Sequence, residues 1–240
     1  MYYHPILHKD VTKPFQLAKE LFSSSYENFD GDTLRFNGDH KNNFLIHEHS
    51  LGLYIFWKHG VLTKLKKEFE KVFKLPVYNI FVFYTPAHGY YQWHNEGTDN
   101  LCMAPKDFID HCNELKFRRN AAINYKLTDH DLSKSKLIWG KEDSDVYDIL
   151  KQNYSNAKID ENINIDNKYV ISLGYESVLE DEKMTPVDEY YGMEVPTVVR
   201  TNVFHKIDNT ACEFDRIVGT VSFEPDMYFE DVKNMVLENE

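Results

Sequence analysis

Cysteine is scarce in this 240-residue chain, and Cys102, Cys112 and Cys212 are odd in number and fit no C-x-x-C spacing. That excludes a disulfide framework and a structural zinc site, and it makes a reducing cytoplasm the expected location. Glycine and proline are few, at 10 and 8, against 42% apolar and 15% aromatic residues. Collagen-like repeats, linkers and disorder are thereby excluded, and a sizeable core is expected. No apolar run approaches the length of a membrane span, the longest lying near Gly52–Trp57 and Val77–Tyr84. The opening Met1-Tyr2-Tyr3-His4-Pro5 lacks the basic-then-apolar order of a leader, so a soluble, unexported protein without a membrane partner is expected. Positive charge is short as well: 27 basic against 39 acidic residues leave a net charge of −12, which disfavours nucleic acid as a partner. Only five of the basic residues are arginine (Arg35, Arg118, Arg119, Arg200 and Arg216), so a planar two-point clamp for a carboxylate has few sources.

What is present reads first as helix and then as strand. Val11, Phe15, Leu17, Ala18, Leu21 and Phe22 recur at helical spacing, and Val61, Leu62, Leu65, Phe69, Val72 and Phe73 share a second stripe that Pro76 ends. Val77–Tyr84 then reads as a strand, Thr85-Pro86-Ala87-His88-Gly89 as a turn, and Tyr90–His94 as a strand pairing back on the first. Further strands are expected at Asn120–Leu127, Lys136–Trp139, Tyr169–Leu173, Thr197–His205 and Arg216–Phe223. Short helices are expected at Pro105–Leu115, Val146–Leu150 and Met227–Leu237, and the acidic stretch 141–167 reads as an inserted loop. Strands that follow helices without β-α-β alternation favour an antiparallel barrel or jelly roll. One domain over 1–240 is expected, with a helical segment 1–76, a β core 77–224 and a C-terminal helix 225–240.

Chemistry concentrates at the strand ends. In Trp93-His94-Asn95-Glu96-Gly97 the period of two puts His94 and Glu96 on one face, an imidazole and a carboxylate able to take adjacent positions on a divalent metal. His205 ends a β-branched strand 111 positions after His94, and Arg216 opens the next strand 11 positions later. Alternation places Arg216, Val218, Thr220 and Ser222 on one face, and an interior arginine is costly unless an anion meets it. His88, in the turn, is a candidate rim residue. His47-Glu48-His49 is a competing metal pair, but no glutamate follows at cupin spacing. No Gly-x-Ser-x-Gly, P-loop, GxGxxG or His-Glu-x-x-His occurs, which removes the usual support for hydrolase, NTPase, Rossmann and zincin readings.

Taken together, His94-x-Glu96, His205 and Arg216 resemble the iron(II)- and 2-oxoglutarate-dependent oxygenases. The resemblance covers roughly Val77 to Phe223, and its texture is most similar to the prolyl-hydroxylase-like branch and to small oxygenases of marine phages and bacteria. It implies a mainly β fold with flanking helices, a double-stranded β-helix of the jelly-roll, cupin-like type. It further implies Fe(II), 2-oxoglutarate and O2 as cofactor and co-substrates, with His94, Glu96 and His205 as iron ligands and Arg216 meeting the distal carboxylate of the oxo acid. Tyr84 and Asn124 are implied as co-substrate contacts. Two departures stand out: the acidic ligand is Glu96 where aspartate is commoner, and Val218 occupies the position where many relatives place Ser or Thr, so Thr220 or a tyrosine would supply that contact. The expected activity is a hydroxylase acting on an unidentified small molecule or peptide, with Tyr90, Tyr91 and Trp93 as candidate entrance residues. The rival readings are a non-catalytic jelly-roll binding module and a cupin-type metal enzyme that does not use 2-oxoglutarate.

Overall fold

The computed structural model describes residues 1–7, 12–23, 44–49, 52–57, 59–96, 119–142 and 181–239. Helix α1 (Lys13–Ser23) buries Phe15, Ala18 and Phe22, three and seven positions apart, with Pro14 in its first turn where a missing N–H costs nothing. Helix α2 (His59–Phe73) buries Leu65, Phe69 and Phe73 on one stripe and stops at Lys74, whose φ is 56°. Helix α3 (Phe229–Asn239) opens with Glu230 and Asp231, which favour the positive end of the helix dipole. Among the described residues no helix is long and apolar enough to cross a membrane.

Eleven strands occupy the described residues: β1 (Tyr3–Pro5), β2 (Phe44–His49), β3 (Gly52–Trp57), β4 (Val77–Thr85), β5 (Tyr90–His94), β6 (Ala121–Lys126), β7 (Lys136–Glu142), β8 (Met184–Tyr191), β9 (Thr197–Arg200), β10 (His205–Asp208) and β11 (Arg216–Phe223). They form one sheet in the order β1-β9-β6-β11-β4-β3-β2 and a second in the order β5-β10-β7-β8. From β4 to β11 the chain behaves as one long hairpin rolled on itself, with β4 against β11, β5 against β10, β6 against β9 and β7 against β8, all antiparallel. Successive pairs alternate between the two sheets, which is the jelly roll that the sequence predicts.

Strands β4, β6, β9 and β11 of the larger sheet are largely buried on both faces. Ile80, Val82, Ile123, Tyr125, Ile217, Val221 and Phe223 join the helices in one core, where Phe15 lies 5.0 Å from Phe69 and 4.9 Å from Tyr125, ring centre to ring centre. Gly219 makes this possible, because a Cβ there would stand 2.2 Å from Cζ of Tyr125. On the other face Ala122 and Val199 meet Leu137 and Trp139 of the smaller sheet.

Three expectations need correction. Tyr90–His94 does not pair with Val77–Tyr84; the intervening turn carries the chain from the larger sheet to the smaller, and β5 takes β10 as its partner. Thr197–His205 is two strands, since the chain leaves the larger sheet after Arg200 and enters the smaller at His205. The segment 1–76 is not purely helical: it also supplies β1, which pairs with β9, and the β2–β3 hairpin, which extends the larger sheet beyond β4. Strand β8 was not anticipated. The expected helices at Pro105–Leu115 and Val146–Leu150, the strand at Tyr169–Leu173 and most of the 141–167 loop lie outside the described residues.

Candidate active site

The jelly-roll pairing brings distant histidines together. In the β5–β10 ladder His94 stands directly across from His205, and their ring centres are 4.2 Å apart. Each ring is oriented by a carbonyl two residues upstream: His94 Nδ1–H donates to Gln92 O at 2.7 Å and His205 Nδ1–H to Val203 O at 2.9 Å. A carbonyl only accepts, so the proton sits on Nδ1 and each Nε2 keeps its lone pair, the tautomer a metal requires.

Glu96 follows at the end of β5, held by its own N–H to Thr201 O at 3.0 Å. Its Oε1 lies 3.7 Å from His94 Nε2 and its Oε2 3.8 Å from His205 Nε2, and the ligand atoms of all three residues fall within 4.8 Å of one another. A divalent ion with bonds of about 2.1 Å holds its donors roughly 3.0–3.4 Å apart, so the two carboxylate–imidazole pairs stand a few tenths of an ångström wide of a coordinated set. Glu96 Oε2 is buried without a hydrogen-bond partner, an orphaned acceptor of the kind a bound cation satisfies. Two imidazoles and one carboxylate on one face match the donor set of non-heme iron(II), so the residues fit the metal that the sequence implies.

Burial sets the electrostatics. Desolvation pushes His205 down to about 4, helped by the positive charges of Arg119 and Arg216 and opposed by the bond to Val203 O. Burial also raises Glu96, and the Arg119 guanidinium, bonded to Glu96 Oε1, opposes that rise. The His205 ring is therefore neutral at neutral pH, with its one proton on Nδ1.

A pocket of about 550 Å³ between the sheets contains this cluster, walled by Phe83, Tyr91, Leu137, Val199 and Ile207. Arg216 borders it as well. It is 3% exposed, and among the described residues no carboxylate offsets its charge: burial is the sole influence, pushing the guanidinium down to about 10. Asp215, next to it in sequence, instead accepts from Ala87 N–H at 2.8 Å and from the Tyr84 hydroxyl.

The remaining predicted residues divide. Asn124 and Thr220 face each other across β6 and β11, and the Thr220 hydroxyl donates to Asn124 Oδ1 at 2.8 Å. Asn124 borders the pocket and Thr220 does not. Tyr84 reaches the pocket margin but packs against the helix-side core, its hydroxyl held by Asp215. Tyr91 stacks edge-on to His94 at 4.7 Å, whereas Tyr90 is largely exposed and Trp93 is buried with its Nε1–H on Asp181. His88 sits in the turn at φ 59° with Nδ1 3.2 Å from Thr210 O, away from the cluster. His47-Glu48-His49 falls on β2, and its side chains lie outside the described residues.

Two residues that the sequence did not assign stand out. Arg119, named there only as one of five arginines, is bonded to the acidic member of the triad. Ser135, immediately before β7, borders a smaller cavity shared with Arg216, and its buried Oγ has no partner. Neither has a local signal, because a lone arginine or serine gains meaning only when its distant neighbours are known.

No family model matches the chain, and no curated protein matches it. Solved structures with a similar course include the non-heme alpha ketoglutarate dependent epimerase SnoN from nogalamycin biosynthesis, at 8% identity and TM-score 0.40 over 95% of this chain and 81% of that one. HygX from Streptomyces hygroscopicus, solved with nickel and 2-oxoglutarate bound, is similar at 9% identity and TM-score 0.39 over 92% and 82%. A Pseudomonas putida prolyl-4-hydroxylase is similar at 9% identity and TM-score 0.30 over 92% and 90%.

Proposed function

We propose that the protein is an Fe(II)- and 2-oxoglutarate-dependent dioxygenase that hydroxylates a small molecule or peptide. One observation carries the reading: the ligand atoms of two histidines and a glutamate converge beside a buried arginine that has no counter-ion among the described residues. His94 Nε2, Glu96 Oε2 and His205 Nε2 would hold the iron. Bound there, Fe(II) supplies O2 activation coupled to oxidative decarboxylation of the oxo acid.

The protein's own contribution is binding, orientation and exclusion of water. One buried carboxylate faces two buried guanidiniums in the pocket, so the cavity is electropositive and suits a dianionic oxo acid. Arg216 offers the distal carboxylate a planar two-point contact. In this reading Ser135, rather than Thr220, gives the accompanying hydroxyl, because the Thr220 proton is already directed to Asn124 while Ser135 Oγ is unpartnered. Phe83, Leu137, Val199 and Ile207 keep the reacting end dry.

Succinate release from 2-oxoglutarate, measured with Fe(II) and ascorbate across a panel of amino-acid, peptide and sugar substrates, tests the proposal. Iron-dependent release that His205→Ala abolishes is the expected result. Failure of the wild-type protein to bind either Fe(II) or 2-oxoglutarate by calorimetry would refute it.

A further inference from the structure

Arg119 is 1% exposed, and its guanidinium carbon lies 4.6 Å from the ring centre of Phe81 and 5.4 Å from that of Phe83. Both ends of its ion pair with Glu96 are also tied at the backbone. Arg119 N–H donates to Glu96 O at 3.1 Å, Glu96 N–H donates to Thr201 O at 3.0 Å, and Thr201 Oγ1 donates to Arg119 O at 2.9 Å. The three residues form a closed ring of hydrogen bonds drawn from three separate parts of the chain. A free glutamate side chain samples several rotamers. Here both its root and its tip are held.

The pairing is also selective between the two carboxylate oxygens. Arg119 takes Oε1, and Oε2 is the atom left without a partner, 3.8 Å from His205 Nε2. A carboxylate free at both oxygens can chelate, occupying two positions on an ion instead of one. A chelating oxo acid and O2 together need three positions, which a two-oxygen glutamate would cut to two.

Resting on the iron reading above, we infer that Arg119 is a positioning residue that makes Glu96 a one-oxygen ligand. It withholds Oε1, presents Oε2, and so keeps a coordination position open for the co-substrate. The same contact explains how the longer glutamate serves at a place where aspartate is commoner: the arginine anchors the end of the side chain that the extra methylene would otherwise leave loose.

The test uses the full-length protein with Mn(II) and Co(II) as probes, in wild type, Arg119→Lys, Arg119→Met, Glu96→Asp and the Glu96→Asp/Arg119→Met double variant. Arg119→Met should weaken Mn(II) binding by about 10–100-fold, the usual effect of removing a group that orients a metal ligand. It should also alter the visible bands of bound Co(II), which report coordination number. Arg119→Lys, which keeps a cationic donor, should restore most of both. In the Glu96→Asp background, where the shorter side chain cannot span arginine and metal, the further change to Met should alter Mn(II) affinity by no more than about twofold. Wild-type affinity and bands in a folded Arg119→Met protein would overturn the inference, as would a loss of equal size in the Glu96→Asp background. Should Arg119→Met fail to fold, the infrared difference spectrum of the wild type on adding Mn(II) decides: widely split carboxylate stretches support one-oxygen binding, and narrowly split ones overturn it. Uptake of neither ion by the wild type would overturn the iron reading itself, a result distinct from all of these.

Discussion

Replacing Arg216 with methionine should make the ligand-free protein more stable while removing its hold on 2-oxoglutarate. The guanidinium is buried at the start of β11, and burial alone pushes it down to about 10, well below its ordinary value. At about 1.4 kcal/mol per tenfold change in proton affinity, carrying the charge there costs roughly 3 kcal/mol. The folded state holds this proton less tightly than the unfolded chain does. The cost is therefore present in full below pH 10 and is relieved only as pH rises beyond it. Methionine keeps an unbranched apolar stem and drops the charge, so a gain of about 2–3 kcal/mol is expected. At roughly 2–4 °C per kcal/mol for a chain of this size, the melting midpoint should rise by about 4–12 °C. Calorimetric melting of the metal-loaded protein with and without 2-oxoglutarate provides the second half of the test. At about 100 times its dissociation constant the oxo acid should add about 2.7 kcal/mol to the wild type and next to nothing to the variant. A lower midpoint in Arg216→Met, or an equal response of both proteins to 2-oxoglutarate, would refute the reasoning.

Three further outcomes are expected. Ser135→Ala should weaken 2-oxoglutarate binding by about 10–100-fold, the worth of a hydrogen bond to a charged group, with Mn(II) affinity unchanged; equal co-substrate affinity by calorimetry would remove Ser135 from the site. His205 in the metal-free protein should titrate by NMR with a midpoint near 4. The stability it contributes should be complete above pH 6.5 and lost as pH falls toward 4, which is best measured in Glu96→Gln to remove the carboxylate's opposite dependence; a midpoint near 6.5 would contradict the burial argument. Gly219→Ala should lower stability by about 1–3 kcal/mol, because its Cβ would stand 2.2 Å from the Tyr125 ring; an unchanged melting midpoint would mean that the ring has room to move.

What the sequence made legible was what is local. Helical stripes marked α1 and α2, the alternation in Arg216–Phe223 marked which side chains share a face, and His94-x-Glu96 announced two donors because period-two geometry operates within three residues. Pairing partners were not legible. The turn at Pro86–Gly89 reads like a hairpin, and nothing within it reveals that β4 and β5 belong to different sheets. The β-branched run from Thr197 reads as continuous, although Thr201 and Asn202 mark the place where the chain crosses between sheets. Strand β8 escaped because Met-Thr-Pro-Val-Asp-Glu-Tyr-Tyr is polar and largely exposed. It lies at the edge of its sheet, where Pro186 is tolerated and packing demands little apolar character. Arg119 was visible as a scarce arginine, but its partner is 23 residues away and only the folded chain identifies it.

The opposition of His94 and His205 also has a temporal meaning. The two strands that carry them are separated by 111 positions, so the site belongs to the slow, non-local part of folding, when the rolled hairpin closes. A chain still emerging from the ribosome, or cut anywhere before residue 205, carries one imidazole and one carboxylate and cannot grip an ion with three donors. On the proposed reading, uptake of metal would report that β10 has closed the smaller sheet, and truncated copies would be kept from holding a redox-active ion in a half-built site.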